Sequence, residues 1–487
     1  MLLCIRIILC VWLLLGVALV PTAARASDAL ARCWRQQGER LGSRALRLNF
    51  TEKSNELEHS QYPWQQTNYA KQGIITVSPT AFVKQDSLSQ GGRVLRATTQ
   101  LGPAEVLRLD YGDKDLQPVT PALYAEHLLG TARYSPLLLL RYFVEQGVAP
   151  AVSSNLNVAR YETRWHGAVV RLFIDTKQNL LERVEILSHD DLFGDVLTTV
   201  AYDNYTTLHN IRFARQMRIS KLGGKLQDEV TVTKAELVEQ VPTILTRPAG
   251  YALQKPAAPR PPVVQHYRPN IHLLELAHTD DRVLVVEFRD FLVVAEAPLN
   301  SRNGEAILAV ARAIAPRKPV RYFVAGHYHP HYLGGVRPFV RQGATILCGP
   351  GTADYIRYLA AAPHALQPDS LHLQPRAAQV EEVTGTKTIT DGNFSMQIHH
   401  IGNASAHTND YLIYYFPSEK LLFEDDLVWV KREGVPRKPS ARQAGLYQAI
   451  QERRLAVETV IQSWPVEDYG IKTIIPFTDI EQAMRVK

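Results

Sequence analysis

In the stretch AGHYHPHYLGG, histidines stand at positions 327, 329 and 331, with Pro330 between the last two and a glycine pair behind them. Neutral imidazole nitrogens are among the commonest protein ligands for zinc. On extended backbone, residues two apart leave the same face with Cα atoms roughly 6.5–7 Å apart, a span from which two rings can converge on one ion. His327 and His329 therefore form the natural chelating pair. On a continued strand His331 would stand about 13 Å from His327, too far to share that ion. Pro330 has a fixed φ and no N–H, so the chain is expected to turn there and redirect His331. Gly334 and Gly335 then permit a tight entry into a following helix.

Such a site needs a third protein ligand and often an acid. The segment GNASAHTNDYLIYYFP places His407 in a polar loop directly before a strand. One hairpin later, LLFEDDLVW ends another strand with Glu424, Asp425 and Asp426. The His-x-His run with glycines after it, the His-Thr-x-Asp before a strand and the Leu-Phe-x-x-Asp-Leu strand end follow one another in a recognisable order. Together they resemble the metallo-β-lactamase-fold hydrolases, whose signature is His-x-His-x-Asp-His. The likeness spans about 271–476.

That resemblance implies zinc as cofactor, with His327, His329 and His407 as the ligands of a first site. Asp426 takes the place of an aspartate that contacts or bridges the metals. The chain also departs from the pattern. Asp425 stands where a glycine is usual, His331 where the family has an aspartate ligand, and Tyr332 where it has a histidine. IIPFTD aligns with a segment that carries the last histidine, which puts Thr478 at that position. The second metal site has thus lost usual ligands, and three readings follow. One zinc ion per chain sits on the three histidines, with Asp426 or His331 as general base and Tyr332 donating to a developing oxyanion. Alternatively His331 and Asp426 rebuild a second, altered site. In the third reading the fold is kept without hydrolysis and binds an apolar ligand or partner in the cell envelope. A histidine-rich surface loop holding no metal is the plainest competitor.

Other site-like residues read as structural. His399 and His400 are adjacent on a strand and point to opposite faces. Asp410 either supports a ligand histidine or caps its loop. Tyr411, Tyr414 and Tyr415 look like strand packing, and His364 and His372 fall in a proline- and alanine-rich loop expected to be exposed.

The elements that must position these residues form an α/β pattern. Strands are expected at Ile271–Leu276, Val283–Phe288 and Phe291–Ala295, then an amphipathic helix over Asn303–Ala315. VRYFVA, ATILC, FSMQIHHI, YLIYYF, KLLFED and KTIIPF read as further strands, with helices over Val336–Arg341 and Ala441–Ser463. The resemblance makes this an αββα metallo-β-lactamase-like sandwich over 270–487. Ahead of it, 27–247 reads as a mainly antiparallel β domain. Its clearest hairpins run through Ile211–Leu237, turning at Gly223 and Gly224, and across Thr176–Asn179. One helix is expected in SPLLLLRYFVEQG, capped by Ser135 with Pro136 at its first position and Gly147 closing it. His166, His189 and His209 are isolated there. Six prolines make 248–269 a stiff linker.

Residues 1–26 carry Arg6, an apolar run over Ile7–Val20 and a small-residue cleavage site at Ala24–Ala26, the anatomy of a secretory signal peptide. The run falls short of the roughly 20 residues that span a bilayer. Export to the periplasm or medium is therefore expected, with no stable membrane span afterwards. Cleavage removes Arg6 and Arg25 and no acid, so the net charge of +6 falls by two. Basic residues are dispersed through the 487-residue chain without neighbouring base-stacking aromatics, which argues against nucleic acid as a partner. The expected partner is a small-molecule substrate. Cys33 and Cys348 survive cleavage. Cys348, within an apolar strand, reads as a core residue.

Overall fold

Leu46, Leu48 and Phe50 are buried along the strand Ala45–Glu56, while Arg47 and Thr51 are exposed. This alternation is that of a sheet with one face on a core. The computed structural model describes residues 29–57, 61–90, 93–102, 106–110, 115–116, 121–151, 157–246, 252–253, 260–434, 438–467 and 469–486. The expected signal peptide and most of 248–259 lie outside them. The described residues form two compact units, one from the ranges Met1–Glu56, Thr67–Ser188 and Val196–Pro256, the other from Leu57–Gln66, His189–Asp195 and Ala257–Lys487. Two short pieces of the N-terminal half therefore belong to the second unit, which a single cut at the proline-rich segment does not anticipate.

The first unit is built on a twelve-stranded sheet with Ala45–Glu56 near its middle, paired antiparallel to Thr67–Val77 and Leu226–Val238. Both expected hairpins form: Ile211–Lys221 pairs with Leu226–Val238 through a turn at Leu222–Gly224, and Ala168–Asp175 pairs with Leu180–Asp190. The helix Leu137–Glu145 buries Leu137–Leu140 and Phe143 in the core of this unit. Pro136, not Ser135, occupies its cap position, and no side chain caps it.

The second unit holds two sheets. The seven-stranded sheet has Asp281–Glu287, Leu292–Ala295, Val320–Val324 and Thr345–Cys348 as successive neighbours. The six-stranded sheet has Ser395–His400, Leu412–Phe416, Leu421–Glu424 and Thr459–Gln462 in that order. The strand Asp281–Glu287 shows why these segments read as unbroken apolar runs: Leu284 and Val286 join one core, Val283 and Val285 another. The first of those cores lies between the sheets, with Leu273, Val293 and Val324 from one and Met396, Ile398, Tyr414 and Phe423 from the other. Helices Ser301–Ile314, Arg337–Gln342 and Ala353–Ala361 share the core on the outer side of the larger sheet. Helices Ala441–Glu452 and Phe477–Met484 share that of the smaller one. The architecture is αββα.

Two expectations change. Val263–Arg268, inside the proline-rich segment, forms the edge strand of the larger sheet, paired with Ile271–Leu276. The helix expected through Ser463 ends at Glu452, and Thr459–Gln462 is a strand running parallel to Leu421–Glu424. Arg454 adopts φ of +52° just after the helix, and the β-branched run Val457, Thr459, Val460, Ile461 favours a strand. Cys33 and Cys348 are both free and buried. Among the described residues, no helix is long and apolar enough to cross a membrane.

Candidate metal centre

The chemistry-bearing segments all leave the same end of the double sheet. The loop with His327 and His329 follows Val320–Val324, that with His407 precedes Leu412–Phe416, and Asp426 follows Leu421–Glu424. The histidine pair does not lie on a continued strand. Residues 326–329 bend, and His329 caps the short helix Pro330–Leu333, whose first residue is the proline. Gly334 and Gly335 are needed for close approach: a Cβ at Gly334 would meet the Leu299 backbone at 2.4 Å, and one at Gly335 would meet the Ala297 side chain at 2.9 Å. Gly335 N–H donates to Ala297 O at 2.8 Å, which seats the segment on the preceding turn.

His327, His329 and His407 come together, their ligand atoms all within 4.8 Å of one another. His327 Nε2 and His329 Nδ1 are 3.1 Å apart. Around a tetrahedral ion with Zn–N of about 2.0–2.1 Å, nitrogens lie roughly 3.3–3.4 Å from each other. His407 Nε2 is buried, with Asp426 Oδ2 at 3.2 Å as its polar neighbour outside the histidine cluster. Burial holds His327 well below the usual imidazole value, with further lowering from His329 and His407, so its ring is neutral as a ligand must be. Three converging imidazole donors of this spacing fit a zinc ion.

Around this cluster lies a set of buried acids. His327 Nδ1 is 2.7 Å from Asp425 Oδ2, and both side chains are wholly buried. This fixes the tautomer with Nε2 left for a ligand bond. Asp425 also contacts the Glu296 carboxyl. Glu296 accepts from Gly326 N–H at 3.2 Å and from the Tyr414 hydroxyl. Burial pushes Glu296 up to about 8, against the lowering effect of its Tyr414, Gly326 and Asp425 hydrogen bonds, and takes Asp425 well above its ordinary value, where the neighbouring Glu296 charge raises it further. Burial likewise takes Glu424 up to about 8. Asp426 differs. Burial opposes its charge, but His407 and Arg442 outweigh that and leave its pKa lowered. Its Oδ2 lies 3.2 Å from His407 Nε2 and accepts from Arg442 NH1 at 3.0 Å, and Tyr411 OH donates to Oδ1 at 3.2 Å.

Not every expected residue joins the cluster. His331 is turned onto Asp281, with Nδ1 3.1 Å from both carboxylate oxygens, and its side chain is 39% exposed. Burial disfavours its charged form, yet the Asp281 hydrogen bond and charge raise its pKa overall. Among the described residues the group of three or more metal-type ligands is the three-histidine cluster; Asp426 borders it through His407, and His331 stands on Asp281. Tyr332 is buried, and its ring packs 4.3 Å from that of His327. Thr478 is exposed on the helix Phe477–Met484. The strand beside Leu421–Glu424 runs parallel to it and delivers Ser463 and Trp464 there instead, with Ser463 N–H donating to Glu424 O and Asp425 O.

His399 bonds Thr386, and His400 bonds the Asn409 carbonyl, so both are structural. Asp410 accepts from Thr352 Oγ1 at 2.8 Å, from its own loop and from the backbone of Tyr328, which ties the His407 loop to the segment between His327 and His329. His364 is buried, contrary to expectation, because Gly194 from the segment His189–Asp195 closes over it. Asp281, Glu296 and Arg442 escaped the sequence reading. The only signal was an acid bordering an apolar run, as in DDRVLVVE and LVVAEA. Tyr411 and Tyr414 are strand residues as expected, but their hydroxyls also organise the acids.

No protein-family model matches this chain, and no curated protein does. Solved structures similar to it include the DIM-1 metallo-beta-lactamase, at 15% identity and TM-score 0.35, covering 47% of this chain and 97% of that one. A metallo-beta-lactamase from Pontibacter korlensis is similar at 16% identity and TM-score 0.34, covering 46% and 97%. The inverting sec-alkylsulfatase Pisa1 from Pseudomonas sp. is similar at 14% identity and TM-score 0.32, covering 45% and 39%. Likenesses this distant decide nothing about the chemistry, which rests on the donor cluster.

Proposed function

We propose that this chain is an exported hydrolase that uses one zinc ion held by His327, His329 and His407, acting on an ester, amide, thioester or phosphoester. The observation that carries this reading is the convergence of three imidazole nitrogens, with ligand atoms all within 4.8 Å of one another. A zinc ion bound there supplies Lewis acidity toward a substrate oxygen and acidifies water for attack.

The chain's own residues do the rest. Asp425 orients the His327 ring through Nδ1. Asp426, ionised and beside His407, balances charge at the centre. Asp281 holds His331 Nδ1, which leaves Nε2 as the atom for proton transfer to or from the reacting groups. Arg442, with a side chain 38% exposed, presents guanidinium N–H groups beyond the one given to Asp426 and can neutralise negative charge developing on a substrate. Export rests on the leader sequence.

The test is to express residues 27–487, measure bound metal per chain, and repeat with His407→Ala. One equivalent of zinc, lost in the variant, is the expected result. Wild-type protein that takes up no zinc would sink the proposal. Zinc-loaded protein should then turn over at least one member of a lactam, thioester, lactone, phosphodiester and alkyl sulfate panel.

A further inference from the structure

The acid behind His327 is placed with unusual care. Asp425 Oδ2 lies 2.7 Å from His327 Nδ1 in a fully buried pair. Space for it exists because residue 326 is glycine: a Cβ there would fall 2.1 Å from that same Oδ2. Asp425 N–H donates to Tyr411 OH at 3.1 Å, which anchors the backbone beneath it. On its other side Asp425 contacts Glu296, itself fixed by Gly326 N–H and the Tyr414 hydroxyl. Asp425 Oδ1 receives no conventional hydrogen bond, and the carboxyl of Glu296 is the neighbouring group that interacts with Asp425 there. Neither acid can reach solvent or substrate, since both are fully buried.

We propose that Asp425 and Glu296 act as a pair of positioning residues for the metal: Asp425 sets the tautomer and angle of His327, and Glu296 locks Asp425 in place. Like the zinc-site reading on which it rests, the inference concerns this chain's own donors. Its content is that one hydrogen bond, made possible by Gly326, holds the first ligand ready. A ligand left free to rotate or to adopt the other tautomer must be ordered at each binding event, and loss of such a partner typically weakens metal binding roughly 10–100-fold.

Substitutions separate orientation from charge. Asparagine at 425 retains an oxygen to accept from His327 Nδ1–H and offers an amide N–H to Glu296. Alanine retains neither. Zinc affinity is measured on the full mature chain by competition with a fluorescent chelator, and the visible spectrum of the cobalt(II) form reports His327 coordination. Asp425→Ala is expected to weaken zinc at least tenfold and alter the cobalt spectrum, while Asp425→Asn stays within about threefold of wild type. Glu296→Ala should give a loss intermediate between them. Should the alanine protein not fold, judged by its thermal transition, Asp425→Ser decides in its place. Unchanged zinc affinity in the alanine or serine variant overturns the inference, as does an equal loss in Asp425→Asn. Absence of zinc binding in the wild type would instead sink the reading beneath it, so the two failures are distinguishable.

Discussion

Arg442 NH1 lies 3.0 Å from Asp426 Oδ2, the same oxygen that sits 3.2 Å from His407 Nε2. A guanidinium thus stands against the acid which the family resemblance would give to a second metal ion. Arg442 carries five donors and gives one hydrogen bond, to Asp426, among the described residues.

Replacing Arg442 by alanine is expected to leave one zinc per chain and to lower kcat/KM about 5–50-fold, as loss of a charge-assisted contact at a partly exposed site implies. Metal analysis and steady-state kinetics on whichever panel substrate is turned over check this. Unchanged kinetics would remove Arg442 from the site's chemistry.

The Asp281–His331 pair makes a separate claim. His331→Gln and Asp281→Asn should each retain zinc but reduce kcat, the histidine variant by roughly 100-fold or more if it moves a proton in the rate-limiting step. A His331→Gln protein with wild-type kcat would leave His331 as a surface ion-pair residue.

Acid stability depends on Asp369. Burial opposes its charge, but Arg337 Nε at 2.6 Å and NH2 at 3.0 Å, with Ser301 Oγ and His372 N–H, hold its carboxyl well below the usual range. Because the folded pKa lies below the unfolded value of about 3.9, this stabilisation is complete above that value and is lost as pH falls beneath it. Asp369→Asn should cost about 1–3 kcal/mol at pH 7 and flatten the loss of stability below about pH 4. Urea titrations at pH 7 and pH 3.5 measure both, and parallel wild-type and variant curves would refute it.

Packing behind the histidine segment is tight at Gly304, where a Cβ would meet Gly335 O at 2.2 Å. Gly304→Ala should destabilise the C-terminal unit by about 1–3 kcal/mol despite alanine's better helix propensity. A rise in its thermal midpoint would show that the helix Ser301–Ile314 can shift without cost.

Legibility of the site followed chemistry type. His327, His329 and His407 were readable because metal-binding residue types recur at characteristic spacings beside strand ends. Pro330 announced the turn that sends His331 away from the cluster. The packing of Tyr332 on His327 and the helix that carries Thr478 were not legible, because alignment to a pattern assigns positions without knowing which neighbours fill the space. Thr459–Gln462 was absorbed into a helix since no glycine or proline separates it from Glu452.

The sequence alone determined which segments are apolar strands and helices, hence sheets covered by helices, and supplied the three histidines that converge. Only the tertiary structure decided what surrounds them. Asp281, Glu296, Asp425 and Arg442 are separated by up to 161 positions, on strand termini of both sheets and on the helix Ala441–Glu452, and only folding brings them to the histidines. Hydrogen bonds and charge coupling act over a few ångströms and fall steeply with distance. Spacing along the chain can therefore announce a local ligand pair, whereas the acids and the arginine that tune it become visible only when folding brings them within reach.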